Sequence, residues 1–314
     1  MHSSLFFKLF PPPKFLLMPH SGLEISDDAM RVIEYKTDRE GLSIAKHDCS
    51  EFPLGLMDGG EIKDEKKFSE MLSDFTKKNQ ITYAKVSISE EKSYLFQTDI
   101  PSRNVAEITQ NVEFKLEENV PLPTGDGIFY FDILPASVTG DSLKATVSVV
   151  SRAYVEKMVS FLRQAGIIPV AFEVVPKSIA RSVVLSKSDE TLLVIHVMNH
   201  KTGIYIVSGG VVCFSSTIAT KGFELENLKR EIIRVNQYWS DRPETHSTIS
   251  RVLLVGHGIE KSKKTIESAF AQTKLAVSVA NVWSNIFDNH GHVPPKSEIN
   301  PLEYVVAVGL ALPL

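Results

Sequence analysis

The chain has 314 residues, of which 43% are hydrophobic, and 34 basic side chains against 38 acidic ones leave a formal charge of −4. A length of this order suggests about two domains and is enough to bury a core without covalent staples. The mild acidic balance speaks against a nucleic-acid binder, which would carry a basic face. Two cysteines, Cys49 and Cys213, stand far apart and outside any CxxC pair. That excludes a disulfide scaffold and a zinc ribbon, and fits a reducing compartment.

The N-terminus is greasy. Leu5-Phe6-Phe7-Lys8-Leu9-Phe10 runs into Pro11-Pro12-Pro13. It lacks the basic region, the longer apolar core and the small-residue cleavage site of a signal peptide. Residues 1–20 therefore read as an arm that packs its phenylalanines on the body, with a membrane or partner contact as the alternative. No apolar run reaches the roughly 18 residues of a membrane span.

From Ser21 the pattern becomes periodic. Leu23 and Ile25 alternate with polar neighbours, Ser26-Asp27-Asp28 interrupts, and Met30, Val32 and Ile33 resume. This is strand, polar turn, strand. Gly41 opens a third strand. The helical spacing of Phe68, Met71, Leu72 and Phe75 follows, then a short strand at Val86 and Ile88. The order is β-β-β-α-β.

The same order returns after Glu190. Leu192 to Val197 is an apolar run of the kind buried on both faces. Asn199-His200-Lys201 turns the chain into Gly203 to Val207, and Ser208-Gly209-Gly210 turns it again into Val211 to Phe214. A helix carries Leu225, Leu228, Ile232, Val235 and Trp239 on one face. Val252 to Val255 then ends at Gly256-His257-Gly258, and a helix near Glu260 to Gln272 precedes a strand near Leu275 to Val279. Two copies of one order indicate a duplicated α/β unit whose lobes face each other across two polar hairpin tips.

A different module separates the copies, at about residues 94–174. A strand at Leu95 to Thr98 leads to a helix with Val105, Ile108, Val112 and Leu116 on one stripe, ended by Pro121 and Pro123. Strands at Ile128 to Leu134 and Leu143 to Val150 follow. A helix with Val155, Met158, Val159 and Leu162 then stops at Gly166, before a strand at Val170 to Val174. The reading is βαββαβ, a layout common in interaction modules. At the C-terminal end, Asn300-Pro301-Leu302-Glu303 has the residues of a helix start. Leu302 to Leu312 then reads as a buried helix, whose Ala307, Gly309 and Ala311 permit close approach.

Three of these segments carry a resemblance. Phe10-Pro11-Pro12-Pro13-Lys14-Phe15 leading into Gly22-Leu23-Glu24-Ile25-Ser26, the helix from Glu113 to its Pro121–Pro123 step, and the ending from Asn300-Pro301 to Leu312 together resemble PilM-type proteins of type IV pilus assembly. That family is similar to actin and to the division protein FtsA. The resemblance implies an α/β, actin-like (RNase H-like) duplicated two-lobe fold with an inserted βαββαβ, SHS2-like subdomain. On this division residues 21–93 form the first lobe, completed by about 175–189. Residues 94–174 form the insert and 190–314 the second lobe. It also implies a cytoplasmic scaffold that binds the short cytoplasmic tail of a PilN-like bitopic inner-membrane protein, and is peripheral to the membrane through that partner. Self-association is a further implication, and nucleic acid is not an expected partner. Candidate tail contacts are Val105, Ile108, Val112 and Leu116 on the insert's helix and Tyr130 and Asp132 on its strand, although apolar stripes of this kind also arise from plain core packing.

The resemblance also locates a nucleotide site. Family tips of the form Asp-Ile-Gly offer a carboxylate for Mg²⁺ and clearance for phosphate. Here the first tip reads Glu24-Ile25-Ser26, followed by Asp27 and Asp28, and the second reads His196-Val197-Met198, followed by Asn199 and Thr202. Histidine does not suit a hard cation, and Met198 crowds a phosphate. The adenosine-side loop keeps Gly256 and Gly258. Glu24 alone can hold Mg²⁺ through water, which leaves weak ATP binding open; hydrolysis, which needs positioned charge, is not expected. Apart from this role, Glu24 reads as a solvated turn carboxylate and His196 as a core histidine. A working ATPase or sugar-kinase relative is one alternative. An FtsA-like division protein is the other, although the ending Leu312-Pro313-Leu314 lacks a basic amphipathic helix. No catalytic residue is assigned. No metal site is expected either, since His196 and His200 straddle a turn and His290 and His292 lie in a loop without further ligands nearby. No G-x-S-x-G, H-E-x-x-H or P-loop motif occurs.

Overall fold

Apolar runs at the start of each copy, alternating in the first and continuous in the second, build the centre of two equivalent sheets in the computed structural model of the protein. The structure describes residues 19–38, 41–101, 104–123, 125–134, 143–185, 188–219, 225–241, 248–271, 273, 275–286 and 299–312. The phenylalanine and proline arm, His290, His292 and the last two residues lie outside them.

In the first sheet, β1 (Ser21–Ile25) pairs antiparallel with β2 (Ala29–Asp38), which pairs antiparallel with β3 (Gly41–Glu51). On its other side β1 pairs in parallel with β6 (Tyr83–Ile88), and β6 with β10 (Ile168–Val174), while the short β4 (Met57–Asp58) and β5 (Glu61–Ile62) pair with each other. The second sheet repeats this plan. Its central strand β11 (Thr191–Val197) is flanked by the antiparallel β12 (Lys201–Ser208) and β13 (Val211–Ala219) on one side. The parallel β14 (Ile249–Gly256) and β15 (Ala276–Val279) lie on the other. The strand orders β3-β2-β1-β6-β10 and β13-β12-β11-β14-β15 correspond one to one. Every residue of β1 and of β11 is buried, as a strand covered on both faces requires.

Helix α1 (Glu65–Asn79) covers the first sheet through Phe68, Leu72 and Phe75. Its start is set by the Asp64 carboxylate, which accepts the Lys67 amide at 3.0 Å. Helices α5 (Leu225–Ser240) and α6 (Ile259–Ala269) cover the second sheet, with Leu228, Ile232, Val235, Trp239 and Ile266 in its core. Two short helices stand in a core common to both lobes: α4 (Val175–Val183) and α7 (Val305–Ala311). That core joins Ile33 of the first sheet to Leu192, Val194 and Val207 of the second. The close approach expected of the small residues in α7 is realised. A Cβ on Gly309 would lie 1.9 Å from the Ser178 carbonyl oxygen, and one on Gly22 would lie 2.1 Å from that of Ala307.

Between the lobes lies a three-stranded antiparallel sheet of order β7-β9-β8, made of β7 (Ser93–Ile100), β8 (Gly127–Ile133) and β9 (Leu143–Ser151), with α2 (Val105–Asn119) on one face. It has its own core of Ile100, Ile108, Val112, Val120, Leu143, Ala145, Val147 and Val149. The βαββαβ order holds along the chain, but its last two elements pack elsewhere. Helix α3 (Arg152–Gln164) places Met158, Phe161 and Leu162 in the first lobe's core, where the Phe161 ring meets Phe68 edge-on at 5.3 Å. Strand β10 completes the first sheet. An apolar stripe specifies that a helix is covered, not by which sheet, so the order alone could not place these two elements.

Candidate cleft and insert recess

The turns that follow the two central strands face each other. In the first, Ser26 Oγ accepts the Ala29 amide at 3.2 Å, closing a tight tip. In the second, the Met198 amide donates to the Lys201 carbonyl at 3.0 Å. Glu24, Ser26, Asp27, Asp28, His196, Met198, Asn199 and Gly256 all line the hollow between the tips. Thr202 and Gly258 do not. Thr202 is fully buried within β12, opposite Val197, and Gly258 caps α6 with φ +68°. Gly256 is required by its φ of +103° and by the Val197 carbonyl, which a Cβ would meet at 2.1 Å.

Glu24 departs from the reading of a solvated turn carboxylate. It is buried, and its Oε1 lies 3.6 Å from Arg31 Nη1 while Oε2 has no hydrogen-bond partner among the described residues. Burial pushes its pKa up to about 7, with Arg31 opposing and Glu90 and Asp28 adding to the rise. The hairpin sets this pair, because a tip spanning Ile25 to Met30 puts Glu24 opposite Arg31. That register was within reach of the sequence.

His196 is the core histidine of the simpler reading. It is 5% exposed, and burial first, then the charges of Lys201 and Arg31, depress its pKa to about 3. Its Nδ1 lies 3.4 Å from the Tyr205 hydroxyl, which donates to Glu90 Oε1 at 2.9 Å. Asp27 accepts the amides of Gly59 at 3.0 Å and Gly60 at 2.8 Å. It also accepts Lys201 Nζ at 3.0 Å. Burial alone would raise the Asp27 pKa, but the Lys201 charge and these hydrogen bonds outweigh it and hold the pKa below the ordinary range. In the sequence Lys201 stood only as the last residue of a polar turn. Its ammonium lies between the tips and also reaches Glu91 Oε2 at 2.5 Å. The hollow that remains measures about 30 Å³, space for one or two waters. A wider hollow of about 590 Å³ opens beside it, walled by Asp28, Glu51, Phe52, Leu54, Asp58 and Lys63 among others. Among the described residues no group of histidine, cysteine and acidic side chains could hold a metal ion.

On the insert, the candidate contacts divide. Ile108 and Val112 are buried in the insert's own core, and the side chain of Val105 lies outside the described residues. Leu116 lines a recess of about 300 Å³, together with Glu113, Glu117, Leu122, Phe129 and Arg152. Tyr130 and Asp132 belong to the opposite face of β8, since neighbouring strand residues point opposite ways. There Asp132 binds Lys177 Nζ at 2.7 Å, and the same ammonium lies 3.7 Å over the Tyr130 ring. Leu116 and the Tyr130–Asp132 pair therefore do not form one surface.

No family model matches the chain, and no curated protein matches it. Among the described residues no helix is long and apolar enough to cross a membrane. A chain from a solved PilM–PilN type IV pilus biogenesis complex is similar with a TM-score of 0.78 at 18% identity, covering 94% of this chain and 98% of that one. A Bacteroides thetaiotaomicron protein of actin-like ATPase fold and unknown function is similar at TM-score 0.49 and 9% identity, over 83% and 90% of the two chains. The cytoplasmic domain of EpsL, an inner-membrane component of the Vibrio cholerae type II secretion system, reaches 0.49 at 10% identity, over 76% and 82%. The fold is thus the two-lobed, actin-like one, shared along nearly the whole length with the chain from the PilM–PilN complex.

Proposed function

We propose that this chain is a pilus-assembly scaffold of the PilM type, which binds the cytoplasmic tail of a PilN-like inner-membrane protein and does not turn over ATP. The observation that carries this reading is what occupies the space between the hairpin tips, set beside an open recess on the insert. Between the hairpin tips a lysine ammonium neutralises the carboxylates, and about 30 Å³ remains. The wider hollow of about 590 Å³ beside the tips has the volume of a small-molecule site, but the place between the tips where phosphate would be cradled is taken by the Lys201–Asp27 ion pair. The residues do not suit Mg²⁺ either: Glu24 carries a pKa near neutrality and is engaged by Arg31, and the second tip offers a neutral histidine. The insert, in contrast, keeps a recess of about 300 Å³ with an apolar floor of Leu116, Leu122, Phe129 and Val149. Its edge carries Arg152, the first residue of a helix that packs on the first lobe. Such a recess takes one or two aliphatic side chains of an extended peptide, with charges at the rim to orient it. Likeness of fold to a chain of a complex with PilN supports the partner. Binding that tail would bring the protein to the cytoplasmic face of the inner membrane.

Titration of synthetic PilN-like tail peptides against the full chain tests the first half. Leu116→Asp is expected to weaken binding at least about tenfold, near 1.4 kcal/mol, in a chain that still folds cooperatively. Undiminished affinity in this variant would remove the recess from the account. Saturating Mg·ATP tests the second half. A ligand at about a hundred times its Kd adds roughly 2.7 kcal/mol of stability, and no upward shift in Tm is expected.

A further inference from the structure

Lys201 sits at the start of β12 in the second lobe, yet every carboxylate that its ammonium touches belongs to the first. We propose that Lys201 is a built-in cationic clasp, holding the two lobes together at the mouth of the cleft in place of a bound cation or ligand. This inference stands apart from the pilus reading, because it rests on the contacts of one side chain.

Two first-lobe segments converge on that ammonium, and a third is tied to one of them. Asp27, in the β1–β2 turn, accepts it at 3.0 Å, and Glu91, after β6, accepts it at 2.5 Å. Asp27 uses both oxygens to anchor the amides of Gly59 and Gly60, so the 59–60 turn is held by the residue that Lys201 holds. Gly60 is fitted to this place: a Cβ there would lie 2.8 Å from that of Ser89, and its carbonyl accepts the Tyr154 hydroxyl at 3.2 Å. One strand position further along the same face of β12 is bare. A Cβ on Gly203 would lie 2.0 Å from the Tyr205 hydroxyl, so the glycine leaves room for that hydroxyl to reach Glu90. Lys201 and Tyr205 thus seize the neighbouring carboxylates Glu91 and Glu90 from the second lobe.

Charge makes the lysine decisive. Glu24, Asp27, Asp28, Glu90 and Glu91 lie on the first lobe's side, and Lys201 and Arg31 are the cations placed among them. Arg31 belongs to the first lobe and makes its ion pair there, with Glu24, while the charge of Glu303 from the second lobe acts on it across the hollow. The Lys201 side chain is 14% exposed, which shields its pairs from salt. Removing one member of this partly buried ion cluster leaves the others uncompensated, and the remaining carboxylates would repel one another toward water.

Hydrogen exchange on the full chain reads the consequence. In Lys201→Ala, amides of the β1–β2 turn, the 59–60 turn and residues 197–205 are expected to exchange at least tenfold faster. Amides of α5, on the far side of the second sheet, should keep their rates. Lys201→Arg should retain most of the protection. Propylammonium, which restores the missing stem and charge, should slow exchange again in the alanine variant and have no effect on the parent chain. Unchanged turn protection in Lys201→Ala, or a loss that propylammonium fails to reverse, would overturn the clasp. If Lys201→Ala does not fold, Glu91→Gln keeps the lysine and breaks one arm. An increase of a few-fold confined to the same turns is then expected, and no change counts against the proposal.

Discussion

Gly309→Leu is expected to leave little or no soluble protein. The Cβ alone would sit 1.9 Å from the Ser178 carbonyl oxygen and 2.7 Å from its carbonyl carbon. Both are backbone atoms of α4, so no rotamer relieves the overlap. Separating α4 from α7 opens the core common to both lobes, which includes Val175, Ile179, Val306 and Leu310. Overpacking of a tight core commonly costs about 1–3 kcal/mol when side chains can shift. A backbone overlap in a helix pair cannot be absorbed that way, and a loss above about 4 kcal/mol is expected, a large fraction of the stability of an ordinary domain. Gly22→Val attacks the same helix from β1 and should behave alike. Gly210→Ala provides the contrast, with open space around its Cβ and a φ of +78° as its only difficulty. It should cost about 1 kcal/mol. Denaturant midpoints and soluble yields measure all three, and a Gly309→Leu chain with the parental midpoint would show that the α4–α7 packing is wrongly understood.

The second large effect is a pH dependence with two opposed parts. His196 has a folded pKa of about 3 against an ordinary 6.5, so the unfolded chain takes up the proton first. Its contribution to stability is complete above 6.5 and is lost as pH falls toward 3. Glu24 has a folded pKa of about 7 against an ordinary 4.5, so the folded chain holds the proton longer. Its contribution is complete below 4.5 and is lost as pH rises toward 7. Between pH 4.5 and 6.5 the two slopes cancel, each about 1.4 kcal/mol per pH unit at its steepest. Glu24→Gln should therefore gain stability steadily with pH across that window, and His196→Gln should lose it. Urea midpoints at several pH values decide the matter. Parallel curves for the parent and both variants would mean that neither group is held as its burial implies.

Much of this architecture was legible in the residues. The duplicated order is written in apolar runs of period two and three-to-four, and these follow from local rules of strand and helix. The two tips were identifiable by their polar residues after a strand, and eight of the ten cleft candidates lie around one hollow. The cross-strand pair of Glu24 and Arg31 follows from hairpin register alone. The insert candidates were less legible. Ile108, Val112 and Leu116 share one helical stripe, but two of them face the sheet and the third reaches the edge where the sheet ends. Periodicity marks the covered face of a helix and cannot mark where its cover stops. Tyr130 and Asp132 lie on the sheet face turned from that helix, toward Lys177.

What the chain order determined by itself is the set of elements, their duplication and the turns in which polar residues gather, because each depends on neighbours a few residues away. Tertiary structure alone decided that α3 and β10 join the first lobe, since a strand accepts any edge of matching register. It also decided that an ammonium from the second lobe lies between carboxylates of the first. Lys201 is separated by 174 residues from Asp27 and by 110 from Glu91. No spacing rule links such positions; only the closure of one sheet's hairpin on the other's brings the charges within reach of Coulomb attraction.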